Sequence, residues 1–294
     1  MANISLPTQV PRRHGILRSP RLRRALSEPA TSIGVILVIA HLLMALLSPF
    51  IAPYDTSAMV GAPLQRPSWE FLMGTDQIGR DYFSRIVAGG RIALFVSFLG
   101  VSISLVVGTV LGIIAGYIGG RTDEVIMRIV DAMMAIPDLI LIAILTLALG
   151  KDVGALIPVV AVVYTWGVVR VIRAKTISLA TLDFVRSAEL RGETRFAVMA
   201  REIFPNLIGL LGVELAVRVS SAVLRISALS FLGLGISQPT PDWGLMVQEA
   251  MGVVFTDPWF LLLPAVMLSS LIIGVNFMVD GFARAFGIAT AELG

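Results

Sequence analysis

The stretch IALFVSFLGVSISLVVGTVLGIIAGY, residues 92–117, decides the fold class of this chain. It carries no charge and exceeds the roughly 20 apolar residues that an α-helix needs to cross a bilayer. The whole chain has the same character, because 56% of its 294 residues are hydrophobic, 15% are charged, and the mean hydropathy is +0.87. A soluble domain carries roughly 25% charged residues, since enough polar surface must face water. The sequence therefore predicts an integral membrane protein.

We predict six spanning helices and an all-α polytopic membrane fold, since five further stretches have the length and apolar composition of a span. The six predicted spans cover residues 33–50, 92–117, 125–149, 154–171, 207–234 and 258–282. The chain then has three parts: a basic tail (1–32), a transmembrane domain (33–287) and a short C-terminal tail (288–294). Two long connections lie within the domain: a polar external segment (54–91) and a charged cytoplasmic loop (173–206).

The distribution of positive charge predicts the orientation of the spans, because cytoplasmic segments are enriched in Lys and Arg. The N-terminal tail carries Arg12, Arg13, Arg18, Arg21, Arg23 and Arg24. The charged loop and the residues just before it carry Arg170, Arg173, Lys175, Arg186, Arg191, Arg195 and Arg201, whereas the opposite segments carry Arg66, Arg80, Arg85 and Lys151. This bias places both termini in the cytoplasm. No cleavable signal peptide is expected, because the first apolar stretch has full spanning length and no small-residue cleavage site.

Several kinds of chemistry are excluded by what the sequence lacks. Without cysteine, the chain forms no disulfide, thiolate metal site or cysteine nucleophile. His14 and His41 have no neighbouring ligand set, so no metal ion is expected, and His41 is expected to be hydrogen-bonded inside the helix bundle. No P-loop, HExxH or GxSxG motif occurs, so nucleotide binding, a cofactor and catalysis are not predicted. The pI near 9.7 reflects the topological charge bias rather than nucleic-acid binding.

The segment DFVRSAELRGETRFAVMAREIFPN, residues 183–206, is the most informative loop. It predicts two short helices separated at Gly192, where a left-handed residue ends the first helix. Thr194 is expected to open the second helix and Pro205 to end it. The expected apolar faces consist of Phe184, Ala188 and Leu190 on the first helix and Phe196, Met199 and Ile203 on the second. Two interpretations stay open: insertion into the groove of a partner protein, or an amphipathic loop resting on lipid headgroups.

Three separated motifs resemble one family, the permease subunits of ATP-binding-cassette (ABC) importers. The loop resembles the coupling loop, or EAA loop, of these permeases, with its central glycine at Gly192 and a hydrophobic–proline ending at Ile203, Phe204 and Pro205. The stretch GTDQIGRDYFSR (74–85) resembles the signature after the first span in the dipeptide, oligopeptide and nickel type. The stretch ALSFLGLGISQPTPDWG (228–244) resembles the signature of the same type at the end of the fifth span. The resemblance covers roughly residues 33–287 and is to the second, C-like permease of such importers.

The resemblance implies a type I ABC importer permease fold and a pore-forming subunit that is not an enzyme. ATP hydrolysis would belong to two separate ABC ATPase subunits, and an external binding protein would deliver solute to a cavity between this chain and a second, homologous permease. Di- or oligopeptides are the expected solutes, with nickel chelates, glutathione, opines and sugar-like compounds as alternatives. The expected location is the bacterial plasma (inner) membrane, in contact with lipid. The loop residues expected to couple to the ATPase are Arg186, Ser187, Ala188, Glu189, Gly192, Phe196, Ile203 and Pro205.

The chain departs from the family pattern in the loop and in the fifth span. Arg186, Ser187 and Ala188 stand where the family has Glu-Ala-Ala, and Glu189 stands where a basic residue is common. An ion pair of reversed polarity between Arg186 and Glu189 is therefore expected, together with a matching change on the ATPase. Arg225 occupies a position that is often acidic in the family.

The motif at residues 74–85 has a physical logic of its own. Thr75 and Asp76 are expected to cap a short helix, and Gly79 permits a close turn. Opposite charges at (i, i+4) spacing predict two ion pairs, Asp76–Arg80 and Asp81–Arg85. We interpret the motif as a rigid external elbow, with direct solute contact as the alternative, formed by Gly74, Asp76, Gly79, Arg80, Asp81 and Arg85.

Ionisable residues inside a span indicate a cavity or a partner. Glu214, Arg218 and Arg225 lie in the fifth predicted span, and the two arginines share a face because they are seven residues apart. They are expected to line the translocation path and to favour an anionic group such as a peptide carboxylate. The alternative is structural, with a Glu214–Arg218 pair and one further arginine near the membrane interface.

Two other spans carry features that affect helix packing. In the third, Pro137 lies between Asp131 and Asp138 and predicts a kink; a packing role for the two aspartates is at least as well supported as a role in the path. In the second, small residues repeat every four positions and predict close helix–helix packing, within the chain or else between subunits, at Gly108, Gly112 and Gly116.

Two other classes of protein are less well supported. A self-contained secondary transporter or channel would leave the docking loop without a role, and the six predicted spans show no inverted repeat. An intramembrane enzyme would need a nucleophile–base or metal pairing, and the sequence provides none that can be named.

Overall fold

The computed structural model describes residues 27–286. The arginines of the N-terminal tail (Arg12 to Arg24), His14 and the predicted C-terminal tail (288–294) lie outside the described residues. Residues 27–286 contain helices and two isolated β-bridges but no β-strand. The helices are α1 (Pro29–Ile51), α2 (Tyr82–Ala88), α3 (Arg91–Ile118), α4 (Gly120–Met134), α5 (Asp138–Leu149), α6 (Val153–Ala180), α7 (Asp183–Leu190), α8 (Arg195–Val198), α9 (Phe204–Phe231), α10 (Trp243–Ala250) and α11 (Trp259–Phe286). A π-helical turn, Met199–Ile203, joins α8 to α9.

The all-α prediction is confirmed, and six spans are present when one bent pair of helices is counted as a span. Five stretches of helix are long and apolar enough to cross a membrane: α1, α2 with α3, α6, α8 with α9, and α11. Two helices extend beyond the predicted spans. α1 begins at Pro29 rather than at residue 33, because proline suits the first turn of a helix. α6 continues to Ala180, so residues 173–180 of the predicted loop are helical.

The third predicted span, 125–149, is a bent pair of helices, α4 and α5. α4 and α5 meet at an angle of 86°. The kink expected at Pro137 is confirmed, since Pro137 has an extended backbone (ψ 130°) and directly precedes α5. Proline has no N–H to donate and disfavours helical geometry in the residue before it. α4 itself is largely exposed and buries Val130 against the bundle, so the bend separates a largely exposed helix from the short apolar helix α5.

The most extensive helix packing joins α3 to α6. A Cβ atom added at Gly108 would lie 2.6 Å from the Cβ of Val168, and one added at Gly112 would lie 2.8 Å from the Cβ of Ile172. Gly116 likewise faces the α6 backbone, with Arg173 O at 2.8 Å from such an atom. The small-residue ridge therefore packs within the chain, which confirms the prediction of packing inside one subunit.

The connections gather at two ends of the bundle. The elbow end comprises segments 52–90, 150–152 and 232–258, and the loop end comprises residue 119 and segment 181–203. At the elbow end, Lys151 Nζ donates to Gly233 O at 2.6 Å. At the loop end, the Tyr117 hydroxyl donates to Glu189 Oε1 at 2.7 Å. Side chains thus tie separate connections together at each end.

His41 is buried inside the bundle, as predicted. Its Nδ1 lies 2.8 Å from Leu37 O, and its Nε2 lies 3.1 Å from Met267 O and 3.2 Å from Ser270 Oγ. The imidazole also meets the Trp243 indole edge-on, with ring centroids 5.7 Å apart. These contacts satisfy the ring within α1, α11 and the segment that begins α10.

Candidate functional site

A cavity of about 320 Å³ opens between α5, α6 and α9, next to the bend that follows α4. Arg218 and Arg225 both line it, so the prediction that they share one face of α9 is confirmed. Glu214 lines the same wall. That these residues form the translocation path stays a prediction. The lining residues are Met134, Asp138, Val163, Tyr164, Gly167, Arg170, Val171, Glu214, Val217, Arg218, Ser221 and Arg225.

Glu214 and Arg218 form the expected ion pair within α9. Arg218 Nε lies 2.5 Å from Glu214 Oε2, and the side chains are only 17% and 3% exposed, respectively. The guanidinium lies against Gly167 of α6, where an added Cβ would come within 2.7 Å of Arg218 Nη1. A side chain at this position would displace the arginine, so Gly167 makes room for the buried pair.

Arg225 joins three helices at the same cavity. Its Nη2 lies 2.9 Å from Asp138 Oδ2 at the start of α5. Its Nη1 donates to the Tyr164 hydroxyl on α6 at 2.6 Å, and its guanidinium carbon lies 5.2 Å from the centre of the Tyr164 ring. The alternative placement of Arg225 near the membrane interface stays a prediction. This side chain has an acidic partner and an aromatic one.

A third ion pair involves Arg170, which also lines the cavity. Arg170 Nη2 lies 2.5 Å from Asp131 Oδ1, and both side chains are exposed. Every arginine that lines the cavity is thus paired with a carboxylate. Neither Tyr164 nor the Asp131–Arg170 pair was predicted from the sequence. The polar hydroxyl of Tyr164 within the apolar stretch of α6 is the feature that could have indicated it.

The loop 183–203 has the predicted helix–turn–helix form. Gly192 adopts a left-handed backbone (φ +78°) after α7, as expected for a glycine that ends a helix. The Thr194 side chain accepts a hydrogen bond from Ala197 N–H at 3.3 Å and caps α8. The two short helices are therefore set by the residues that the sequence indicated.

The prediction that Pro205 ends the second loop helix is wrong. Residues 195–231 form one continuous helix, because the π-helical turn Met199–Ile203 carries α8 directly into α9. Pro205 is the second residue of α9, directly after that turn, so the helix passes through a residue that has no N–H to donate. The loop is consequently joined rigidly to the helix that carries Arg218 and Arg225.

The predicted apolar faces of the loop are correct only in part. Ala188 and Ile203 are buried, together with Val185 and Val198. Leu190 and Phe196, by contrast, are 88% and 77% exposed. The π-helical turn adds a residue to the local repeat, so Phe196 does not share the buried face of Ile203. The loop therefore presents large apolar side chains outward.

The expected Arg186–Glu189 ion pair does not form. Glu189 instead accepts the hydrogen bond from Tyr117 at the end of α3, which turns its carboxylate away from Arg186. Within residues 27–286, Arg186 has no ion-pair partner; it is exposed, as is Ser187. Arg186 is thus an unpaired positive charge on the outer surface of the loop, and Glu189 is held against the end of α3 by Tyr117.

A buried cluster of four charges organises the elbow end. The predicted Asp76–Arg80 pair is confirmed, with Arg80 Nε 2.6 Å from Asp76 Oδ2. The predicted Asp81–Arg85 pair is wrong, because Arg85 contacts Asp76 and lies 2.8 Å from Glu249 Oε2. Arg80 also reaches Glu249 Oε1 at 3.2 Å. This cluster, Asp76–Arg80–Arg85–Glu249, ties segment 74–85 to α10.

Asp81 caps a helix instead of pairing with Arg85. Its carboxylate accepts from Ser84 N–H at 2.8 Å and caps α2, whereas Thr75 and Asp76 were expected to cap that helix. Asp76 Oδ1 accepts from the N–H groups of Ile78 and Arg80, which closes a tight turn. That turn needs the left-handed Gly79 (φ +86°). The (i, i+4) spacing thus predicted the Asp76–Arg80 pair correctly, but not the partner of Arg85 or the residue that caps α2.

The pKa of Asp76 is shifted by its surroundings in the cluster. Burial raises the pKa of its carboxyl, but the hydrogen bond from Arg80 N–H and the charge of Arg85 lower it by more. The pKa therefore lies below its ordinary value. Asp76 is thus charged at neutral pH and balances part of the buried positive charge.

The motif at residues 228–244 anchors the elbow end through its last residues. The Trp243 side chain is fully buried and its Nε1–H donates to Ile86 O at 2.9 Å. Asp242 accepts from Leu245 N–H at 3.1 Å and caps α10. Burial raises the pKa of Asp242 to about 6, although hydrogen bonds from Leu245 N–H and its neighbours lower it in part.

The Asp242→Asn variant is expected to remove a pH-dependent part of stability while keeping the helix cap, since asparagine caps well. A carboxyl whose pKa is raised on folding stabilises most below its ordinary pKa and loses that contribution as the pH rises through about 6. The difference in free energy of unfolding between the variant and the wild type should therefore shift in favour of the variant by up to about 3 kcal/mol from pH 4 to pH 7. Thermal unfolding in detergent at several pH values measures this; a difference that does not change with pH contradicts it.

The fold and these sites define a polytopic helical membrane protein with a charged cavity inside the bundle and a helix–turn–helix loop at one end. Residues 108–288 match the family model described as "Binding-protein-dependent transport system inner membrane component". The chain therefore belongs to this family. It is a permease subunit of an ABC importer, a pore-forming component rather than the catalytic one, and a multi-pass inner-membrane protein whose partners are other components of the transport system.

Three relatives illustrate the similarity over nearly the whole chain. A dipeptide transport system permease protein, DppC, of Haemophilus influenzae is 36% identical over 86% of this chain and 88% of its own length. An oligopeptide transport system permease protein, OppC, of Bacillus subtilis is 30% identical over 88% of this chain and 85% of its own. A glutathione transport system permease protein, GsiD, of Pectobacterium atrosepticum is 29% identical over 90% of this chain and 88% of its own.

Proposed function

We propose that this chain is one of two homologous permeases in an ATP-driven importer of di- or oligopeptides. Two ABC ATPases on the cytoplasmic side and an external solute-binding protein complete the importer. The observation that carries the proposal is the likeness, along 86–90% of the chain, to permeases named for dipeptide and oligopeptide transport. Glutathione is a second candidate, favoured by the similarity to GsiD, and it carries the same charged termini as other short peptides.

The loop end faces the cytoplasm in this proposal, and both termini lie on that side. The loop docks into a groove of an ATPase subunit. Exposed Leu190 and Phe196 provide an apolar contact, and unpaired Arg186 favours an acidic rim on the groove. Buried Val185 and Ala188 hold the loop on the permease. These features support docking to a protein, because large exposed apolar side chains suit insertion into the groove of a partner.

The loop and the cavity are joined by a single helix. Residues 195–231 are continuous, so a displacement of the loop by the ATPase moves the wall that carries Arg218 and Arg225. We take the cavity as the part of the translocation path that belongs to this subunit, with Glu214, Arg218 and Arg225 on its wall. The cluster at the elbow end holds the external segments as one rigid body, separate from the path.

The test is a pull-down of the tagged, detergent-solubilised protein from its native membrane, with a Gly192→Pro variant in parallel. Proline cannot adopt the φ of +78° at residue 192, and it disfavours the helical backbone of Arg191 before it. We expect the wild type to bring down a second permease and two ABC ATPases, and the variant to retain the permease and lose the ATPases.

A Gly192→Asn variant is the matched control, because asparagine tolerates a left-handed backbone and no atom lies within 4 Å of a Cβ added there. It should behave as the wild type does. Retention of the ATPases by Gly192→Pro, or a wild type that comes down alone, would exclude the docking role and favour a self-contained transporter.

A further inference from the structure

The ion pairs at the cavity differ in how easily they open. Glu214 and Arg218 belong to one helix, four residues apart, and are nearly buried. Separating them would leave a charge in an apolar environment, which is unfavourable. Asp138 and Arg225 belong to different helices, make one contact of 2.9 Å, and are 43% and 34% exposed. Water and a ligand can reach the second pair, and its separation leaves neither charge buried.

Arg225 keeps its position when Asp138 moves away. The Tyr164 hydroxyl accepts from Nη1 at 2.6 Å, and the guanidinium lies 5.2 Å from the Tyr164 ring centre. Tyr164 is itself buried, so it is a fixed support. The Nη2 group that now contacts Asp138 would then be free, and a guanidinium binds a carboxylate more specifically than an ammonium group does.

Asp138 lies at the break between α4 and α5. It is the first residue of α5, directly after Pro137 and the 86° bend between α4 and α5. Because α5 is not continuous with α4, a change in the backbone at this break would shift the Asp138 carboxylate relative to Arg225 on α9. In this pair, Arg225 is held in place by Tyr164, whereas Asp138 lies at the bend between two helices.

We propose that the Asp138–Arg225 pair is a binding site for zwitterionic peptides and opens to accept them. Arg225 takes the α-carboxylate of the peptide, and Asp138 takes the α-ammonium group. The charged termini of extended di- and tripeptides are roughly 7 and 10 Å apart, so the direct contact between Asp138 and Arg225 must break for both to bind. The cavity volume of about 320 Å³ falls within the range of small-ligand sites. This inference rests on the proposed peptide transport.

The pair also explains how the cavity stays neutral when it holds no peptide. Asp138 and Arg225 neutralise one another at 2.9 Å, and a zwitterion replaces that contact with two of the same kind. A peptide that lacks one charge leaves one residue of the opened pair without a partner, which disfavours its binding. The site therefore selects peptides with both termini free.

The experiment uses the complete importer, purified with its partners and reconstituted with its binding protein into liposomes. Uptake is measured for trialanine, N-acetyl-trialanine and trialanine amide, after each has been shown to bind the isolated binding protein. Each variant is compared with the wild type for the same peptide, so that the preference of the binding protein cancels. Co-purification of the partner subunits verifies that each variant is assembled.

Arg225→Gln should raise the concentration of trialanine for half-maximal uptake by about tenfold, the loss of one charge-assisted contact, and change that of the amide by less than about twofold. Asp138→Asn should do the same for trialanine and spare the N-acetyl form. Arg225→Lys should keep the preference for a free carboxylate. Arg170→Gln, in the other exposed pair, is the control and should affect all three peptides alike.

Two results would overturn the inference in distinguishable ways. If the wild type takes up none of the three peptides, peptide transport is wrong and the inference falls with it. If the wild type takes up trialanine but Arg225→Gln impairs trialanine and its amide by the same factor, as Arg170→Gln does, peptide transport stands and the zwitterion site is wrong.

Discussion

Replacing Glu249 by alanine is expected to lower the free energy of unfolding by about 3–5 kcal/mol. The Glu249 carboxylate contacts Arg80 at 3.2 Å and Arg85 at 2.8 Å, and it also accepts from Gln238 Nε2 at 2.6 Å. Both arginine side chains are buried. Without Glu249, Asp76 alone would face two buried positive charges, and an unbalanced buried charge is strongly destabilising.

Unfolding of the detergent-solubilised protein by heat or denaturant measures the effect. Glu124→Ala is the matched control, because Glu124 and Arg128 form an exposed pair at 3.4 Å, and such pairs contribute at most about 1 kcal/mol. If the two variants lose the same stability, the cluster does not hold the elbow end together. The interpretation of segment 74–85 as a rigid elbow would then be wrong.

The sequence predicted well what depends on composition and on local backbone geometry. A run of apolar residues marks a span because lipid excludes charge, and that rule located all the long helices. The glycines of α3 predicted close packing because a missing Cβ lets two helices approach. Gly192 and Thr194 predicted a turn and a cap because few residues satisfy those backbone geometries.

The sequence did not predict partners that lie far apart along the chain. Arg85 pairs with Glu249, which lies 164 residues away, whereas helical spacing pointed to Asp81. Arg225 contacts Tyr164, which lies 61 residues away on α6. Spacing rules describe neighbours on one helix, but the packing of different helices decides which charges meet. The continuation of the helix through Pro205 was missed for a related reason, since a π-helical turn has no distinct residue signature.

The Glu214→Ala variant is expected to be the second most damaging substitution, with a loss of about 3–5 kcal/mol in the free energy of unfolding. Its removal leaves the Arg218 guanidinium, which is 17% exposed, without its carboxylate against α6. The double variant Glu214→Leu/Arg218→Met removes both charges and keeps the volume of the side chains. It should recover most of the stability, because replacing a whole buried pair by apolar residues is often neutral.

The double variant then separates the two roles considered for this pair, since its fold is retained. Uptake close to that of the wild type by the assembled importer would mean that Glu214 and Arg218 only stabilise α9 against α6. A loss of uptake without a loss of stability would mean that one of the two charges contacts the solute. We expect the first result, because the pair is closed, nearly buried and turned toward Gly167. Failure of the double variant to regain stability over Glu214→Ala would contradict the energetic account, because the unpaired arginine would then not be the cause of the loss.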